Sequence, residues 1–190
     1  MKLVMVVGAA TPPGRLSNAV AQLAAGLAKE PDIEIETINL ATTRVEPCDG
    51  RKPEDYDAPT RGAVAAIAAA DGVAFAAPVY RASFPGVLKN LLDILPVEAL
   101  RDKPVAILAM GGSPHHYLAV DAHLRLVLAW FGAIALPNSA YLTGRDFAEG
   151  KVQAEGAAVD LAALGVALAT MARAVKGRSF GPVPLSARFT

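Results

Sequence analysis

The sequence predicts a single α/β domain built on a doubly wound parallel sheet of five strands, in the order 2-1-3-4-5, with helices on both faces. Three observations lead to this prediction. Strand-like and helix-like segments alternate along the chain, as they do in parallel βαβ units. Three of the strand-like segments are almost wholly apolar, which is typical of strands buried on both faces. The chain has 190 residues, a length that fits one domain of ordinary size.

The strand-like segments differ in a way that predicts their places in the sheet. Three short apolar runs are typical of central strands: Lys2–Val7, Val73–Ala77 and Val105–Met110. Ile33–Ile38 alternates apolar and charged residues, so one of its faces is predicted to contact water. Ala133–Leu142 contains Pro137, which an edge strand tolerates and a central strand does not. Strands one, three and four are therefore predicted at the centre, and strands two and five at the edges.

Five segments have the apolar periodicity of helices that pack on a sheet. The periodic positions of the first, second and fifth helices are Val20, Leu23 and Leu27; Val64 and Ile67; and Leu161, Leu164, Leu168, Met171 and Val175. The third helix is predicted to begin at Ser83 as its N-cap, to pack Phe84 in the core and to end at Pro96. The fourth is predicted to begin at Ser113-Pro114.

The fourth helix, over residues 114–132, carries two apolar stripes. One stripe consists of Tyr117, Val120, Leu124, Val127 and Phe131, and the other of Leu118, Ala122, Leu126 and Ala129 with Trp130 beside it. A helix on the surface of a domain needs only one such stripe to face its own core. The second stripe predicts contact with another copy of the chain, in a homodimer or a homotetramer.

Composition and charge exclude several classes of function. The 18 Lys and Arg residues balance the 18 Asp and Glu residues, so no overall positive field exists to attract nucleic acid. The single cysteine, Cys48, excludes an internal disulfide and a thiolate metal cluster, and we expect its thiol to be structural or incidental. This cysteine usage favours a cytoplasmic protein.

No membrane segment or second domain is expected. No apolar run reaches the roughly 18 uncharged residues of a membrane helix, and residues 3–10 are too short and weakly apolar for a signal peptide. No linker divides the chain. We therefore predict one domain over residues 1–176, followed by an irregular tail over 177–190.

The loops after strands one, three and four are predicted to line one crevice. In an open parallel sheet, ligands bind beyond the carboxyl ends of the strands, where the direction of winding reverses. After strand one, residues 8–18 include donors that suit a phosphate, namely Thr11, Arg15, Ser17 and Asn18. An ordinary Gly/Pro turn with a serine cap accounts for the same residues equally well.

The other two loops have features of a site for a flat ring. Residues 78–83 include Tyr80 and backbone amides predicted to be free, and residues 111–116 include two glycines that let a ligand approach the backbone. A strand-to-helix turn with core aromatics and a surface histidine are the alternatives. The sequence contains neither a GxSxG nor an HExxH pattern. We therefore predict no catalytic acid–base residue and no metal site, and expect a bound cofactor to supply the chemistry.

Two segments, residues 70–93 and 111–121, resemble the NAD(P)H-dependent FMN reductases, a family with the flavodoxin-like fold. The resemblance covers about residues 1–140 and is most specific at the pattern P-V-Y-x-x-S-x-P-G-x-L-K-N-x-x-D, from Pro78 to Asp93. Within the family, the sequence is most similar to the reductases that supply reduced FMN to alkanesulfonate-type monooxygenases.

This resemblance implies FMN and either NADPH or NADH as ligands, and hydride transfer from the nicotinamide to FMN. It implies a phosphate site at Thr11, Arg15, Ser17 and Asn18, and flavin contacts at Pro78, Val79, Tyr80, Arg81, Ser83, Gly111, Gly112, Ser113 and His116. A flavin-dependent monooxygenase is the implied recipient of reduced FMN. The alternatives are an FMN-containing reductase of quinones or azo compounds, and a non-catalytic electron carrier. Zero net charge argues against the carrier, because such carriers are typically acidic.

Overall fold

The computed structural model describes residues 1–183. Its elements are β1 Lys2–Val7, α1 Arg15–Leu27, β2 Glu34–Asn39, α2 Ala58–Ala69, β3 Gly72–Pro78, α3 Gly86–Ile94, β4 Pro104–Gly111, α4 Ala119–Phe131, β5 Ile134–Ala135, β6 Ala140–Thr143, β7 Phe147–Ala148, β8 Lys151–Val152 and α5 Glu155–Val175. The main sheet has the order β2-β1-β3-β4-β5, and all of its strand pairs are parallel. The predicted order is confirmed.

The predicted fifth strand is in fact two short strands. β5 pairs with the start of β4 and β6 with its end, where Gly111 lies opposite Thr143. Pro137 lies between them, and a proline has no N–H to continue a ladder of hydrogen bonds. β7 and β8 then form an antiparallel hairpin that was not predicted. Its turn places Glu149 and Gly150 at positive φ, 50° and 77°.

Helices cover both faces of the sheet, as predicted. α1 and α5 pack on one face against side chains such as Leu3 and Met5. α2, α3 and α4 pack on the other face, against Val4, Phe75 and Ile107 among others. Because neighbouring strand residues point to opposite faces, each central strand contributes to both cores. Full burial of one such side chain stabilises the folded state by about 1.5–3 kcal/mol. The central strands therefore form a rigid base for the loops at their ends.

Two helices begin later than predicted. α3 begins at Gly86, because Ser83 is not an N-cap but forms a backbone bridge with Tyr80. α4 begins at Ala119, because residues Pro114–His116 form a tighter turn of 3-10 helix. The hydrogen bond closing this turn, from the N–H of Tyr117 to the carbonyl of Pro114, spans three residues. Phe84 packs against the core, as predicted.

The burial of α4 confirms that its two apolar stripes face different surroundings. From the first stripe, Val120, Leu124 and Phe131 are buried against the sheet. From the second stripe, Leu126 is 73% exposed and Trp130 is 60% exposed. Tyr117, assigned to the buried stripe, is exposed because it precedes the start of α4.

Among residues 1–183, α5 is the one helix long and apolar enough to cross a membrane, judged by length and composition, and a single helix of this kind is weak evidence for a membrane. Its buried side chains, including Leu161 and Leu168, pack on α1 and the sheet. α5 ends at Val175, and residues 177–183 form neither helix nor strand. The predicted boundary after residue 176 stays a prediction, and the rest of the predicted tail, residues 184–190, lies outside the described residues.

Candidate active site

The three predicted site loops leave the same edge of the sheet from adjacent strands. β1 and β4 both pair with β3, and the pairs Val7–Ala76 and Pro78–Met110 close these ladders. The N–H of Gly8 donates to the carbonyl of Ala76 (2.7 Å), so the first loop starts directly beside the end of β3. The loops therefore line one crevice at the carboxyl edge, where ligands bind in folds of this type.

Helix α3 packs closely against the start of the first loop. A Cβ atom at Gly8 would lie 2.9 Å from Cδ2 of Leu88, which is shorter than any ordinary contact between carbon atoms. Gly8 is therefore needed for its small size, and it lets the first loop pass over α3 without displacing it.

The first loop ends at an uncapped helix N-terminus. α1 begins at Arg15, and neither Gly14 nor any other residue provides a side-chain cap. The proposed serine cap is therefore wrong, since Ser17 lies inside α1. Free N–H groups at the start of a helix attract anions, and a serine hydroxyl and an arginine beside them strengthen that attraction. Thr11 is exposed on the same loop.

Neighbouring segments already hold some of the predicted phosphate ligands. The side-chain amide of Asn39 donates to the hydroxyl oxygen of Ser17 (3.2 Å), which leaves the Ser17 O–H to donate elsewhere. The amide of Asn18 donates to the carbonyl of Gly150 (2.7 Å) in the β7–β8 turn. The Arg15 guanidinium lies beside Gly144, with Nη1 3.2 Å from where a Cβ would stand. The hairpin therefore uses one N–H of the Asn18 amide, and the second N–H stays available, together with Arg15 and Ser17, for the predicted phosphate site.

The second loop is a tight two-residue turn. Tyr80 and Ser83 exchange both backbone hydrogen bonds, of 2.8 and 3.0 Å. Between them, Arg81 and Ala82 both have positive φ, 51° and 60°. Turns of this kind normally contain Asn or Gly, because left-handed backbone costs other residues roughly 1–2 kcal/mol each. The turn therefore stores strain at the edge of the crevice, as backbones at functional sites often do.

This turn corrects one expectation about the second loop. The backbone amides of Val79, Tyr80 and Ser83 are not free, since each donates to a carbonyl of the protein; that of Val79 donates to Met110 (2.8 Å). Only the N–H groups at the tip of the turn, those of Arg81 and Ala82, have no hydrogen-bond partner among residues 1–183. Pro78 ends β3, and Tyr80, which follows it by two residues, is 45% exposed.

Tyr141, which was not predicted, fixes the third loop. Its hydroxyl donates to the carbonyl of Ser113 (2.7 Å) and lies 1.9 Å from where a Cβ of Gly111 would stand. Cγ2 of Val79 lies 3.3 Å from the same point, so the second and third loops meet at Gly111. Burial raises the pKa of Tyr141 above its ordinary value of 10.0, so the hydroxyl remains a donor beyond the pH at which an exposed tyrosine ionises.

The rest of the third loop is open. Gly112 and His116 are exposed, and Nδ1 of His116 lies 3.4 Å from the hydroxyl of Ser113. No atom lies within 4 Å of where a Cβ of Gly112 would stand, so a flat ligand can rest on the backbone there. Within residues 1–183, no three His, Cys, Asp or Glu side chains are grouped so that they could hold a metal ion. The donors of the crevice thus fit a ligand that has a phosphate at one end and a flat ring at the other.

Comparisons with known proteins agree with this chemistry. Residues 1–148 match the family model described as NADPH-dependent FMN reductase. The chain is 35% identical over 155 residues to an NADH-dependent FMN reductase, SfnF, of Pseudomonas fluorescens, which covers 82% of this chain and 83% of that protein. It is 33% identical to an NAD(P)H-dependent FAD/FMN reductase of Geobacillus thermodenitrificans, and that match spans 58% of this chain and 60% of the relative.

A solved structure has the same fold over nearly the whole chain. It is the apo form of an NADH:FMN oxidoreductase (EMOB), with a TM-score of 0.74 and 28% identity over 93% of this chain and 91% of that one. The family match covers far more than half of the chain and includes all three crevice loops. The chain therefore belongs to the NADPH-dependent FMN reductase family and is an oxidoreductase with the flavodoxin-like fold.

Proposed function

We propose that this chain transfers a hydride from NADPH or NADH to FMN and delivers the reduced FMN to a separate flavin-dependent monooxygenase. The observation that carries the proposal is the crevice, where an uncapped helix start beside Arg15 faces two loops that can support a flat ring. Family membership supports the reductase reaction. Delivery to a monooxygenase rests on the resemblance to reductases of such two-component systems.

The residues of the crevice would hold FMN at its two ends. The phosphate would lie at the start of α1, with donors from the helix N–H groups, Arg15 and Ser17, and with Thr11 at the rim. The ring would lie on the loops 78–83 and 111–116, where the Arg81 and Ala82 N–H groups are free to donate. When bound, FMN supplies the acceptor for the hydride.

We assign no residue of the crevice as a general acid or base. Hydride transfer between two stacked rings needs a short distance, correct orientation and little water, and these are positional demands. Tyr141 and the strained turn at Arg81 meet them by fixing the loops before a ligand arrives. The Nδ1 atom of His116 lies 3.4 Å from the Ser113 hydroxyl, at the open part of the third loop, and we give His116 a binding role.

The openness of the crevice favours FMN as an exchanging substrate. Tyr80, Gly112 and His116 at its rim are all exposed, and nothing in residues 1–183 covers them. Steady-state oxidation of NADPH and NADH by flavin-free protein tests this, with FMN added in steps. Turnover that rises with FMN supports the proposal. Turnover that needs a quinone or azo dye after one FMN is bound per chain indicates the other type of reductase, and no turnover indicates a carrier.

We further propose that the chain forms a homodimer or a homotetramer through α4 and acts in the cytoplasm. Leu126 and Trp130 leave a broad apolar surface on this helix, and Leu118 adds to it just before the helix begins. A groove of about 530 Å³ lies between this surface and α3, with Leu92 and Val97 in its lining. Exposed apolar surface of this kind is typical of association sites.

A further inference from the structure

A cavity of about 440 Å³ opens beside the crevice, on the side of α3. Ala10 of the first loop and Gly86 at the start of α3 both line it. Leu40 forms part of the wall, and its N–H donates to the carbonyl of Val7 at the end of β1 (3.1 Å). The cavity and the crevice are therefore neighbours that share the first loop.

The cavity is apolar apart from one cation and one amide. Leu40, Val45, Pro47 and Val87 give it apolar walls, and Arg44 is the one charged residue in its lining. The amide of Asn90, which also lines it, is already engaged at both ends. Its Nδ2 donates to the carbonyl of Glu46, and its Oδ1 accepts the N–H of Cys48, both at 2.8 Å.

Arg44 is exposed, and among residues 1–183 its guanidinium forms no ion pair and no hydrogen bond. Two acidic side chains of the same segment, Glu46 and Asp49, pair instead with Arg51, at 3.5 and 2.9 Å. A cavity with apolar walls and one exposed guanidinium that has no acidic partner suits a flat apolar group that carries a phosphate.

We infer that this cavity binds the adenosine half of the nicotinamide dinucleotide, with Arg44 contacting one of its phosphates. The inference rests on the proposed function, because only a dinucleotide substrate needs a second phosphate position next to the flavin crevice. The purine would lie against the apolar walls. The cavity volume falls within the range of roughly 300–1,000 Å³ that is common for small-molecule sites.

Arg44 and Arg15 would bind different ligands. Arg15 lies at the start of α1, beside Gly144, on the face of the sheet that α1 and α5 cover. Arg44 lines a cavity next to α3, which packs on the opposite face. The two guanidinium groups are thus placed for two separate phosphates, one at each side of the crevice.

The test compares Arg44→Ala and Arg44→Lys with Lys52→Ala, a matched loss of an exposed charge in the same segment but outside the cavity lining. Binding of 2′,5′-ADP and of ADP is measured by calorimetry, and the KM values for NADPH and NADH by steady-state kinetics. Arg44→Ala is expected to weaken 2′,5′-ADP binding by about tenfold or more, as for a lost charge-assisted bond. Arg44→Lys is expected to retain part of the affinity, and Lys52→Ala all of it.

The outcomes separate this inference from the proposed function. If Arg44→Ala weakens only the binding of 2′,5′-ADP and NADPH, Arg44 contacts the 2′-phosphate. If it weakens the binding of ADP and NADH equally, Arg44 contacts the pyrophosphate. FMN affinity is expected to stay unchanged in all three variants. Wild-type protein that binds neither nucleotide, or an Arg44→Ala variant that binds both as tightly as wild type, overturns the inference. A wild type that reduces no FMN overturns the proposed function, whatever Arg44 binds.

Discussion

The hydroxyl of Tyr141 occupies the space that a side chain on Gly111 would need. The hydroxyl oxygen lies 1.9 Å from where a Cβ of Gly111 would stand, and it donates to the carbonyl of Ser113 two residues further on. The two residues come from neighbouring parallel strands, β4 and β6. Each therefore depends on the other, and together they fix the third loop of the crevice.

Gly111→Ala is expected to destabilise the fold by about 1–3 kcal/mol, because the new methyl group must displace Tyr141 from a packed position. Tyr141→Phe removes one hydrogen bond and is expected to cost about 1 kcal/mol. In the double variant, the cost of Gly111→Ala should be smaller than in wild type, since the displaced oxygen is gone. Urea unfolding of the four proteins measures this coupling. Strictly additive free energies would contradict the described contact.

The turn at Arg81 and Ala82 should gain stability from a glycine. Ala82→Gly relieves a left-handed backbone that glycine adopts freely, and we expect a gain of about 0.5–1 kcal/mol in the free energy of unfolding. Ala65→Gly is the matched control, because Ala65 is exposed in the interior of α2 and the same change there should cost about 1 kcal/mol. Thermal or urea unfolding measures whether the two substitutions change the free energy of unfolding in opposite directions. A lower free energy of unfolding in both variants would show that the turn is not strained.

The exposed face of α4 should control the oligomeric state. Leu126→Glu places a charge on the proposed contact surface, where its burial in a dimer would be costly, and we expect the protein to become monomeric. Val159→Glu is the control, because Val159 of α5 is similarly apolar and 59% exposed but lies away from α4. Light scattering coupled to size-exclusion chromatography gives the masses. A wild-type monomer, or an unchanged mass for Leu126→Glu, would contradict the assignment.

Asp71 is expected to make the fold sensitive to acid. Burial acts to raise the pKa of its carboxyl, but the N–H of Lys2 (2.8 Å) and the ammonium of Lys176 (3.1 Å) outweigh burial and lower that pKa below its ordinary value of 3.8. Its contribution to stability is therefore complete above pH 3.8 and is lost as the pH falls through the lower folded-state pKa. Asp71→Asn should flatten the acid limb of a plot of unfolding free energy against pH. An identical limb in both proteins would exclude Asp71 as its source.

The order of the sheet could be predicted because a strand that is buried on both faces is apolar at nearly every position of the sequence. β1, β3 and β4 are almost wholly apolar, and β2 is not, so the central and edge positions follow from composition alone. The crevice followed in turn, since adjacent parallel strands bring their following loops to one edge.

The starts of α3 and α4, and the residues that support the loops, depend on tertiary contacts that no local pattern encodes. Tyr141 lies 28 residues from Ser113 in the sequence, and Asn18 lies 132 residues from Gly150. In each pair the first residue donates a side-chain hydrogen bond to the carbonyl of the second. The left-handed turn at Arg81 and Ala82 contains no glycine or asparagine, the residue types from which such a turn is normally predicted. Arg44 belongs to no recognisable sequence motif, and only the three-dimensional structure shows that it lines a cavity.

Binding of FMN and of riboflavin to flavin-free protein tests the proposed phosphate site at the start of α1. Riboflavin lacks the phosphate, so the wild type should bind FMN more tightly. Arg15→Ala should weaken FMN binding by about 1–3 kcal/mol and leave riboflavin binding unchanged. Lys29→Ala, beyond the opposite end of α1, should change neither affinity. Equal affinities of the wild type for the two flavins, or an Arg15→Ala variant with unchanged FMN affinity, would rule out a phosphate site formed by Arg15 at the start of α1.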